Sequence, residues 1–457
     1  FILMTIHKPC AVRPIEKQSV VCVCNSTYCD DVIRNHPAYG TFVIYTSSQV
    51  VTSSKTTLYL DPSKQYQRIE GFGGSVTDSA AINWRSLSPV LQDYLIKSYF
   101  SENGLEYNMV RTPIGGSDFS VRPYAYNELP WGDARLTNFT FSPEDILYKI
   151  PMFKSIFKVA KTPIHIVATT WSPPPWMKTN QNYSGFSQLK PEYYQTYADY
   201  HLKFLEMYNA AGVPIWGITT TNEPINGIFG LAPFNSLGWT MREMGKWIEQ
   251  NLGPTIRNST FSNVKIITGD DQRLTIPYWF NVMLTYHPKA LDYIDGLGVH
   301  YYTDKFVPPQ IFDTVTLTHP EKFILATEAC EGISTCKILI CTYIKCNLYV
   351  PIDLTRYDLN FNLVGWIDWN LCLDKKGGPN WASNYVDSPI IVDKDRQEFV
   401  KQPMFYAMGH FSKFVPRDSV RIEITEKQSF LPSSLHKTAF LTPRNTIVAI
   451  IYNEGAP

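Results

Sequence analysis

Short apolar runs, separated by stretches of helix length, recur between residues 69 and 370. Continuous runs of apolar and β-branched residues are typical of strands that are buried on both faces of a parallel sheet. Eight of these runs each lead to polar or aromatic residues: 69–74, 107–111, 164–168, 215–221, 264–268, 294–299, 323–326 and 363–366. A (β/α)8 barrel is built from eight strand–helix units, so the pattern predicts a TIM barrel of the α/β class.

The segments between these runs contain helix signals. Residues 191–211 place apolar and aromatic side chains three and four positions apart, with Pro191 in the first turn and Gly212 just past the end. Ser88-Pro89 and Ser142-Pro143 predict two further helix starts, because proline is favoured at the first helical position after a serine cap. Strand, loop and helix therefore alternate, as the barrel requires.

Both ends of the chain have a different pattern, in which short β-rich runs alternate with turn formers. This predicts antiparallel strands beside the barrel. We expect two flanking all-β domains, a small antiparallel sheet and an immunoglobulin-like β-sandwich. The expected division is 1–33 with 371–402 for the small β domain, 34–68 with 419–457 for the sandwich, and 69–370 with 403–418 for the barrel.

Composition narrows the functional classes. The chain has 41 basic and 41 acidic residues among 457, so nucleic acid is not an expected partner. No apolar run approaches the roughly 18 residues of a transmembrane helix. Aromatic residues make up 14% of the chain, with 11 Trp and 28 Tyr, which suits carbohydrate stacking as well as core packing. Residues 1–6 are interpreted as the remnant of a signal peptide.

Cysteines and glycosylation motifs favour the secretory route. Four cysteines lie near the amino end without a nearby His, which favours two disulfides over a zinc site and leaves three pairings open. They are Cys10, Cys22, Cys24 and Cys29, and the N-glycosylation sequons begin at Asn25, Asn138, Asn182 and Asn258. Neither a metal nor a cofactor is expected, because His and Cys lack ligand spacing around the candidate site.

Two glutamates carry the candidate chemistry. Glu223, in Asn222-Glu-Pro224, ends the fourth apolar run, and Glu328 ends the seventh. Strand carboxyl ends face the active site of a TIM barrel, and two carboxyl groups across one mouth are what glycoside hydrolysis requires. The alternatives for the single residues are a helix cap for Glu223 and a salt bridge for Glu328. Asp270, Asp271 and Arg273 are expected to form a structural charge network.

A series of motifs is spread over nearly the whole chain. They include Gly71-Phe-Gly-Gly74, Asn222-Glu-Pro224, Asp270-Asp-Gln-Arg273, Val299-His-Tyr-Tyr302, Glu328-Ala-Cys330, Gly365-Trp-Ile-Asp-Trp-Asn370 and Gly377-Gly-Pro-Asn-Trp381. This series resembles glycoside hydrolase family 30, and within it the acid β-glucosidases that act on glucosylceramide. The resemblance implies a retaining mechanism with Glu223 as acid/base and Glu328 as nucleophile. It also implies disulfides between Cys10 and Cys22 and between Cys24 and Cys29.

The resemblance extends to the surroundings of the two glutamates. It implies glucosylceramide in membranes as substrate, a saposin-type activator and anionic lipids as partners, and a location in the lysosomal lumen or outside the cell. Tyr302 is a candidate donor to Glu328, and Arg111 and His300 are expected to support the glutamates without touching the sugar. The residues expected to bind substrate are Asp118, Trp171, Asn222, Tyr302, Trp369 and Asn384.

The chain departs from the family pattern in two places. Residues 331–362 are β-branched and Cys-rich where the family has an amphipathic helix, and Pro351 would interrupt such a helix. The resemblance also implies sandwich strands after Pro457, so we expect an incomplete sandwich and low stability for the chain as written. Two alternative functions follow: the same chemistry on a β-1,6-glucan or a xyloside, and a catalytically impaired lectin-like or chaperone-like binder.

Overall fold

The computed structural model describes residues 8–15, 20–45, 56–330, 358–427 and 435–453. The predicted signal-peptide remnant and most of the divergent segment, residues 331–357, lie outside the described residues. In chain order the strands are β1 (Val12–Pro14), β2 (Val20–Asn25), β3 (Leu58–Arg68), β4 (Gly71–Ser75), β5 (Met109–Ile114), β6 (His165–Thr170), β7 (Gly217–Thr219), β8 (Lys265–Gln272), β9 (Gly296–His300), β10 (Phe323–Glu328), β11 (Leu363–Asn370), β12 (Cys372–Asp374), β13 (Ile390–Asp393), β14 (Glu398–Lys401), β15 (Val420–Glu426), β16 (Leu435–Leu441) and β17 (Ile447–Asn453).

The predicted barrel is confirmed. Strands β4 to β11 pair in sequence order, all parallel, and β11 returns to pair with β4 to close the barrel. At this seam the backbones come close together, because a Cβ on Gly365 would lie 2.2 Å from the carbonyl oxygen of Gly71. Glycine is required there to allow the strands to meet.

Most of the helices lie on the outside of the barrel. The helices are α1 (Asp78–Arg85), α2 (Pro89–Phe100), α3 (Ile150–Val159), α4 (Tyr194–Ala210), α5 (Pro224–Phe229), α6 (Met241–Trp247), α7 (Gly253–Arg257), α8 (Met283–Tyr286), α9 (Asp313–Thr316) and α10 (Pro403–Ser412). Of these, α5 lies at the mouth of the barrel. The predicted starts are confirmed at Ser88, which caps α2, and at Ser142, after which helical residues 143–149 lead directly into α3. The Ser142 backbone N–H donates to Asp145 at 2.9 Å as in a capping box.

The barrel interior is filled by side chains from several strands. Met109, Val167, Ile267, Leu325 and Ile367 form one buried cluster, each from a different strand. Such a packed layer makes the barrel a solid core rather than a channel. The functional groups are therefore confined to the ends of the strands.

Two strands differ from their predicted bounds. β7 is shorter than the apolar run 215–221 and ends at Thr219. β8 is longer than the run 264–268, because it continues through Asp270 and Asp271 to Gln272. Its register shifts between Gly269 and Asp271, where both Gly269 (φ +80°) and Asp270 (φ +55°) are left-handed. The two aspartates therefore lie inside a bulged strand rather than after it.

The two chain ends form the predicted antiparallel sheets beside the barrel. One sheet has the strand order β1-β2-β14-β13-β12, in which only the β12–β13 pair is parallel, and the other has the order β17-β16-β15-β3. The first sheet contains the disulfides Cys10–Cys22 and Cys24–Cys29, in the pairing that the resemblance implied. The boundaries of the three proposed domains remain a prediction. Among the helices in the described ranges, none has the length and apolar character needed to cross a bilayer.

Candidate active site

The two glutamates from the fourth and seventh barrel units meet at one end of the barrel. Glu328 is the last residue of β10, and Glu223 follows β7 by four positions. One carboxylate oxygen of Glu223, one of Glu328 and a ring nitrogen of His300 all lie within 4.8 Å of one another. The structure thus brings together two carboxyl groups that are remote in the sequence.

Glu223 has a strained backbone. Its φ of +40° and ψ of +64° lie in the left-handed region, which is uncommon for a residue with a side chain. The conformation is held on one side by its backbone N–H, which donates to the carbonyl of Asp270 at 2.9 Å, and on the other by Pro224, which begins α5. Strain of this kind concentrates at functional sites, where the surrounding structure enforces it.

Hydrogen-bond donors surround the Glu223 carboxylate. Oε1 accepts from His300 Nδ1 at 2.9 Å and from Gln272 Nε2 at 2.8 Å, and Oε2 accepts from Asn226 Nδ2. The Glu223 side chain is 12% exposed, so it is accessible from the mouth of the barrel. Glu223 therefore combines solvent access with donors on both oxygens.

Glu328 is more enclosed and has its own donors. Its Oε1 accepts from Tyr302 at 2.8 Å, as predicted, and its Oε2 accepts from Arg111. Burial raises the pKa of Glu328 above its ordinary value, and His300 and Arg111 oppose that rise. These cations and the tyrosine hydroxyl stabilise the ionised form that a nucleophile requires.

Arg111 and Asp270 connect the site to the barrel strands. Arg111 is fully buried and donates to Asn222 Oδ1 at 2.7 Å and to Asp270 Oδ2 at 2.9 Å. Asp270 also accepts from Thr219 and Thr327 at 2.7 and 2.6 Å. Burial alone would raise the pKa of Asp270, but Arg111 and His300 hold it well below its usual range. Asp270 is therefore the permanent counter-ion of the site.

His300 is a hydrogen-bonded cation between the carboxylates. Its Nδ1 donates to Glu223, and its Nε2 lies 3.3 Å from Asp270 Oδ1. Burial favours neutral imidazole, but Glu328, Asp270 and Glu223 outweigh it and raise the pKa of His300 to about 10. Glu223, His300 and Glu328 are spaced closely enough to hold a metal ion. A protonated imidazole with both nitrogens facing carboxylates has no lone pair to offer a metal, and it supplies the positive charge itself.

The predicted sugar-binding residues lie beside the glutamates in two groups. Trp171 and Trp369 stack with ring centroids 5.0 Å apart, and the Arg111 guanidinium lies 4.9 Å from the first ring and 5.3 Å from the second. The two rings are 1% and 2% exposed, so they pack on each other and present little open face. Asp118 accepts from Asn384 Nδ2 at 2.9 Å.

The prediction of a single structural network of Asp270, Asp271 and Arg273 is wrong. Arg273 bonds to Asp304 and to Asp358, the latter at 2.8 Å, away from Asp270. Asp271 accepts from the backbone of Ile225 and Gln272 instead. The bulge in β8 separates the three side chains, because it turns Asp270 towards Arg111.

Sequence reasoning missed several polar groups that touch the two glutamates or Asp270. They are Thr219, Asn226, Gln272 and Thr327. Gln272 stands two positions after Asp270 in β8, so strand alternation could have placed it on the same face. Asn226 stands three positions after Glu223, but Glu223 precedes the helix in a left-handed conformation, so no helical spacing rule marks this contact. The four sequon asparagines are all exposed, and their glycosylation remains a prediction.

Comparison with known proteins decides the family. The glycosyl hydrolase family 30 TIM-barrel domain matches residues 69–415, and the family 30 β-sandwich domain matches residues 418–456. The chain belongs to glycoside hydrolase family 30. The enzyme class expected from the two glutamates is thereby confirmed: the protein is a glycoside hydrolase.

Individual relatives differ in the substrate that their names give. Lysosomal acid glucosylceramidase of Mus musculus is 38% identical over 98% of this chain and 90% of its own length. Endo-1,6-β-D-glucanase of Neurospora crassa is 25% identical over 80% of this chain and 74% of its own length. The structure of SrfJ from Salmonella typhimurium superposes with a TM-score of 0.79 at 24% identity, covering 90% of this chain and 89% of its own, a likeness that shows the fold alone.

Several buried carboxyl groups of this family 30 enzyme keep their protons to unusually high pH. Burial, reinforced by the nearby active-site glutamates, raises the pKa of Asp118 and of Asp271 to about 7. Burial also raises the pKa of Asp358 and of Asp387 to about 6. In the unfolded chain these groups titrate near 4, so between about pH 4 and 7 the native state binds more protons than the unfolded state.

We therefore expect the family 30 enzyme to be more stable at mildly acidic pH than at neutral pH. Stability falls as pH rises through the range in which only the native state holds these protons. Burial lowers the pKa of His201 to about 4 and also lowers the pKa of His36 and of His410, which opposes this trend below about pH 6.5. The raised pKa of His300 adds to the trend above that pH. Melting temperatures at constant ionic strength should fall by about 2–5 °C from pH 5 to pH 7.5. Asp387→Asn should reduce this difference, and a melting temperature that rises over this range contradicts the expectation.

Proposed function

We propose that the protein is a retaining β-glucosidase that hydrolyses glucosylceramide to glucose and ceramide by double displacement. The observation that carries the proposal is the approach of Glu223 and Glu328 oxygens to within 4.8 Å. Retaining enzymes hold their carboxyl groups about 5–5.5 Å apart, whereas inverting enzymes leave roughly 6.5–9.5 Å for a water molecule. The short separation supports direct attack on the sugar.

In the first step Glu328 attacks the anomeric carbon and the bond from that carbon to the ceramide oxygen breaks. Glu223 transfers its proton to the departing oxygen, which leaves a glucosyl ester on Glu328 and free ceramide. In the second step Glu223, now ionised, takes a proton from water while the water oxygen attacks the anomeric carbon. Glu328 leaves as a carboxylate, glucose is released, and Glu223 has regained its proton.

The proposed sugar contacts depend on which atoms of Asn222 and Asp118 can donate a hydrogen bond. Arg111 donates to Asn222 Oδ1, so the Asn222 amide nitrogen is the atom oriented to donate to the sugar 2-hydroxyl. Hydrogen bonds at that hydroxyl strengthen in the transition state. The pKa of Asp118 near 7 keeps this carboxyl protonated at acidic pH, so it can both donate to and accept from sugar hydroxyls. We assign to Asn384 the role of orienting Asp118. Trp171 and Trp369 are assigned to contact the sugar through the edges of their rings.

Exposed apolar side chains beside the site support a lipid substrate. Phe186, Phe229 and Leu231 are 62%, 66% and 67% exposed. Their loops touch, because a Cβ on Gly230 would lie 3.0 Å from the backbone nitrogen of Phe186. Residues 179–189 and 225–239 contain no Asp, Glu, Lys or Arg. An uncharged apolar surface at the barrel mouth suits contact with a membrane or a saposin-type activator.

The choice of substrate rests on the 38% identical lysosomal acid glucosylceramidase, and with it we propose a location in the lysosomal lumen or outside the cell. Rates should be compared on glucosylceramide in anionic vesicles and on soluble β-1,6-glucan and β-xyloside at acidic pH. We expect the lipid to be preferred and the preference to grow with added saposin-type activator. Faster turnover of either soluble glycan contradicts the lipid assignment but not the glycosidase.

The role of Glu223 is tested with Glu223→Ala. We expect turnover of a β-glucoside with a poor leaving group to fall by about 10²–10⁴, because no group protonates the departing oxygen. A dinitrophenyl β-glucoside needs no such proton, and the enzyme should accumulate as the glucosyl ester until azide attacks it. Azide should then restore turnover and yield β-glucosyl azide.

The configuration of the azide product tests the mechanism directly. Azide displaces the glucosyl group from Glu328 on the face opposite the ester, so the β product requires two inversions. The isosteric Glu223→Gln, which leaves less room for azide, is the matched control and should be rescued less. An α-glucosyl azide, or no rescue of Glu223→Ala at any azide concentration, contradicts the proposed mechanism.

A further inference from the structure

Glu223 has one polar neighbour on the short helix that follows it. α5 begins at Pro224, and its third residue, Asn226, returns to the side of the helix on which Glu223 lies. Asn226 Nδ2 is 2.5 Å from Glu223 Oε2. The backbone N–H of Asn226 also donates to the carbonyl of Glu223 at 2.9 Å. The amide is therefore held against the carboxylate by the turn that carries both residues.

The donors divide unequally between the two oxygens of Glu223. Oε1 accepts from both His300 and Gln272, which uses the two lone pairs of that oxygen. Within the described ranges, Oε2 accepts a hydrogen bond from Asn226 only. A proton on Glu223 therefore occupies Oε2, where it competes directly with the Asn226 amide.

We propose that Asn226 is a positioning residue that sets the pH range of the enzyme, by donating to the Glu223 oxygen that carries the catalytic proton. This inference rests on the proposed function, because it takes Glu223 to be the acid/base. A donor to a carboxylate stabilises the ionised form, so Asn226 weakens proton retention in the first step and favours the basic form needed in the second. His300 and Gln272 bind the other oxygen and orient the carboxylate. The buried carboxyl groups of Glu328 on β10 and Asp271 on β8 also face Glu223, and both are retained in the Asn226 variants.

The inference predicts that one limb of the pH profile of kcat/KM and one limb of the pH profile of kcat move together. In Asn226→Ala the proton is held more tightly. The alkaline limb of kcat/KM for a β-glucoside with a poor leaving group should then move up by roughly half to one pH unit. The acidic limb of kcat for a dinitrophenyl β-glucoside, whose second step needs ionised Glu223, should move up as well. Loss of a merely structural contact would lower both rates without moving either limb.

Two further variants make the test specific. Asn226→Asp places a second carboxyl group beside Oε2, and two acids that share a proton release it at higher pH, so both limbs should move further up. Gln195→Ala is the matched control, since Gln195 is an exposed amide on α4 that bonds to Asp199 and Thr255. Its limbs should coincide with those of the wild type. Melting temperatures of all variants verify that each is folded.

The outcome separates this inference from the proposed function. If Asn226→Ala is folded and its pH profiles coincide with those of the wild type, the inference is overturned. The proposed function still stands in that case if azide rescues Glu223→Ala. Absence of azide rescue overturns both, because Glu223 is then not the acid/base. Upward shifts of both limbs in Asn226→Ala, together with larger shifts in Asn226→Asp, support the inference.

Discussion

Replacement of Glu328 by Gln is expected to reduce kcat on β-glucosides by a factor on the order of 10⁵. Gln keeps the shape of the side chain, and its one amide oxygen can accept from either Tyr302 or Arg111, which donate to different oxygens of Glu328. The neutral amide cannot form the glucosyl ester. The fold should tolerate the change. Burial already raises the pKa of Glu328, so the neutral amide relieves a buried charge.

The matched control is Asp271→Asn. Asp271 is a second buried carboxyl group near Glu223, but it faces the backbone N–H groups of Ile225 and Gln272. Its substitution should reduce kcat by less than about tenfold, because no reacting atom is lost. Mass spectrometry after incubation with a 2-fluoro-β-glucoside should find the adduct on the peptide that contains Glu328. Residual activity of Glu328→Gln within tenfold of the wild type, or an adduct elsewhere, excludes Glu328 as the nucleophile.

Removal of the Arg111 guanidinium should be the most destabilising single change at the site. Arg111→Met leaves Asp270 and Glu328 buried without their shared cation, which is expected to cost about 3–5 kcal/mol in the free energy of unfolding. Arg111→Lys keeps a charge but cannot bridge both carboxylates and Asn222, so it should recover only part of the loss. Both variants should also lose activity, because Glu328 loses a donor.

Chemical denaturation of the variants measures this effect. Lys97→Met is the control, since Lys97 pairs with Asp93 while the two side chains are 52% and 48% exposed, and its loss should cost less than about 1 kcal/mol. Asp270→Asn in the Arg111→Met background should regain part of the stability, because it removes one of the two carboxylates that Arg111 neutralised and leaves His300 to face the other. A loss below about 1 kcal/mol for Arg111→Met would show that the buried network contributes little to stability.

The sequence predicted the parts of the molecule that depend on repetition and on strand direction. Eight apolar runs implied the barrel, and the ends of parallel strands necessarily meet at one mouth, so the convergence of Glu223 and Glu328 followed from their places in those runs. Tyr302 lies close behind a strand end in the same way, and its bond to Glu328 is confirmed.

The parts that could not be predicted depend on local departures from regular structure. The bulge at Gly269 and Asp270 changes which side chains of β8 face the mouth, and no periodic pattern marks a bulge in advance. Arg273 was therefore grouped with the wrong aspartates. Asn226 was missed because its contact depends on the left-handed backbone of Glu223, which places the carboxylate over the first turn of α5. Residue spacing alone does not contain that dihedral angle.

The pairing of both chain ends in the flanking sheets has a consequence for synthesis. β2 bonds to β14 and β3 bonds to β15, so the strands made first must wait for partners near the end of the chain. At 5–20 residues per second that wait lasts on the order of tens of seconds. The β1–β2 pair and the short loops closed by Cys10–Cys22 and Cys24–Cys29 can form earlier. We therefore expect β3 and the β2 edge that pairs with β14 to depend on chaperones during synthesis until residues up to 426 have emerged from the ribosome.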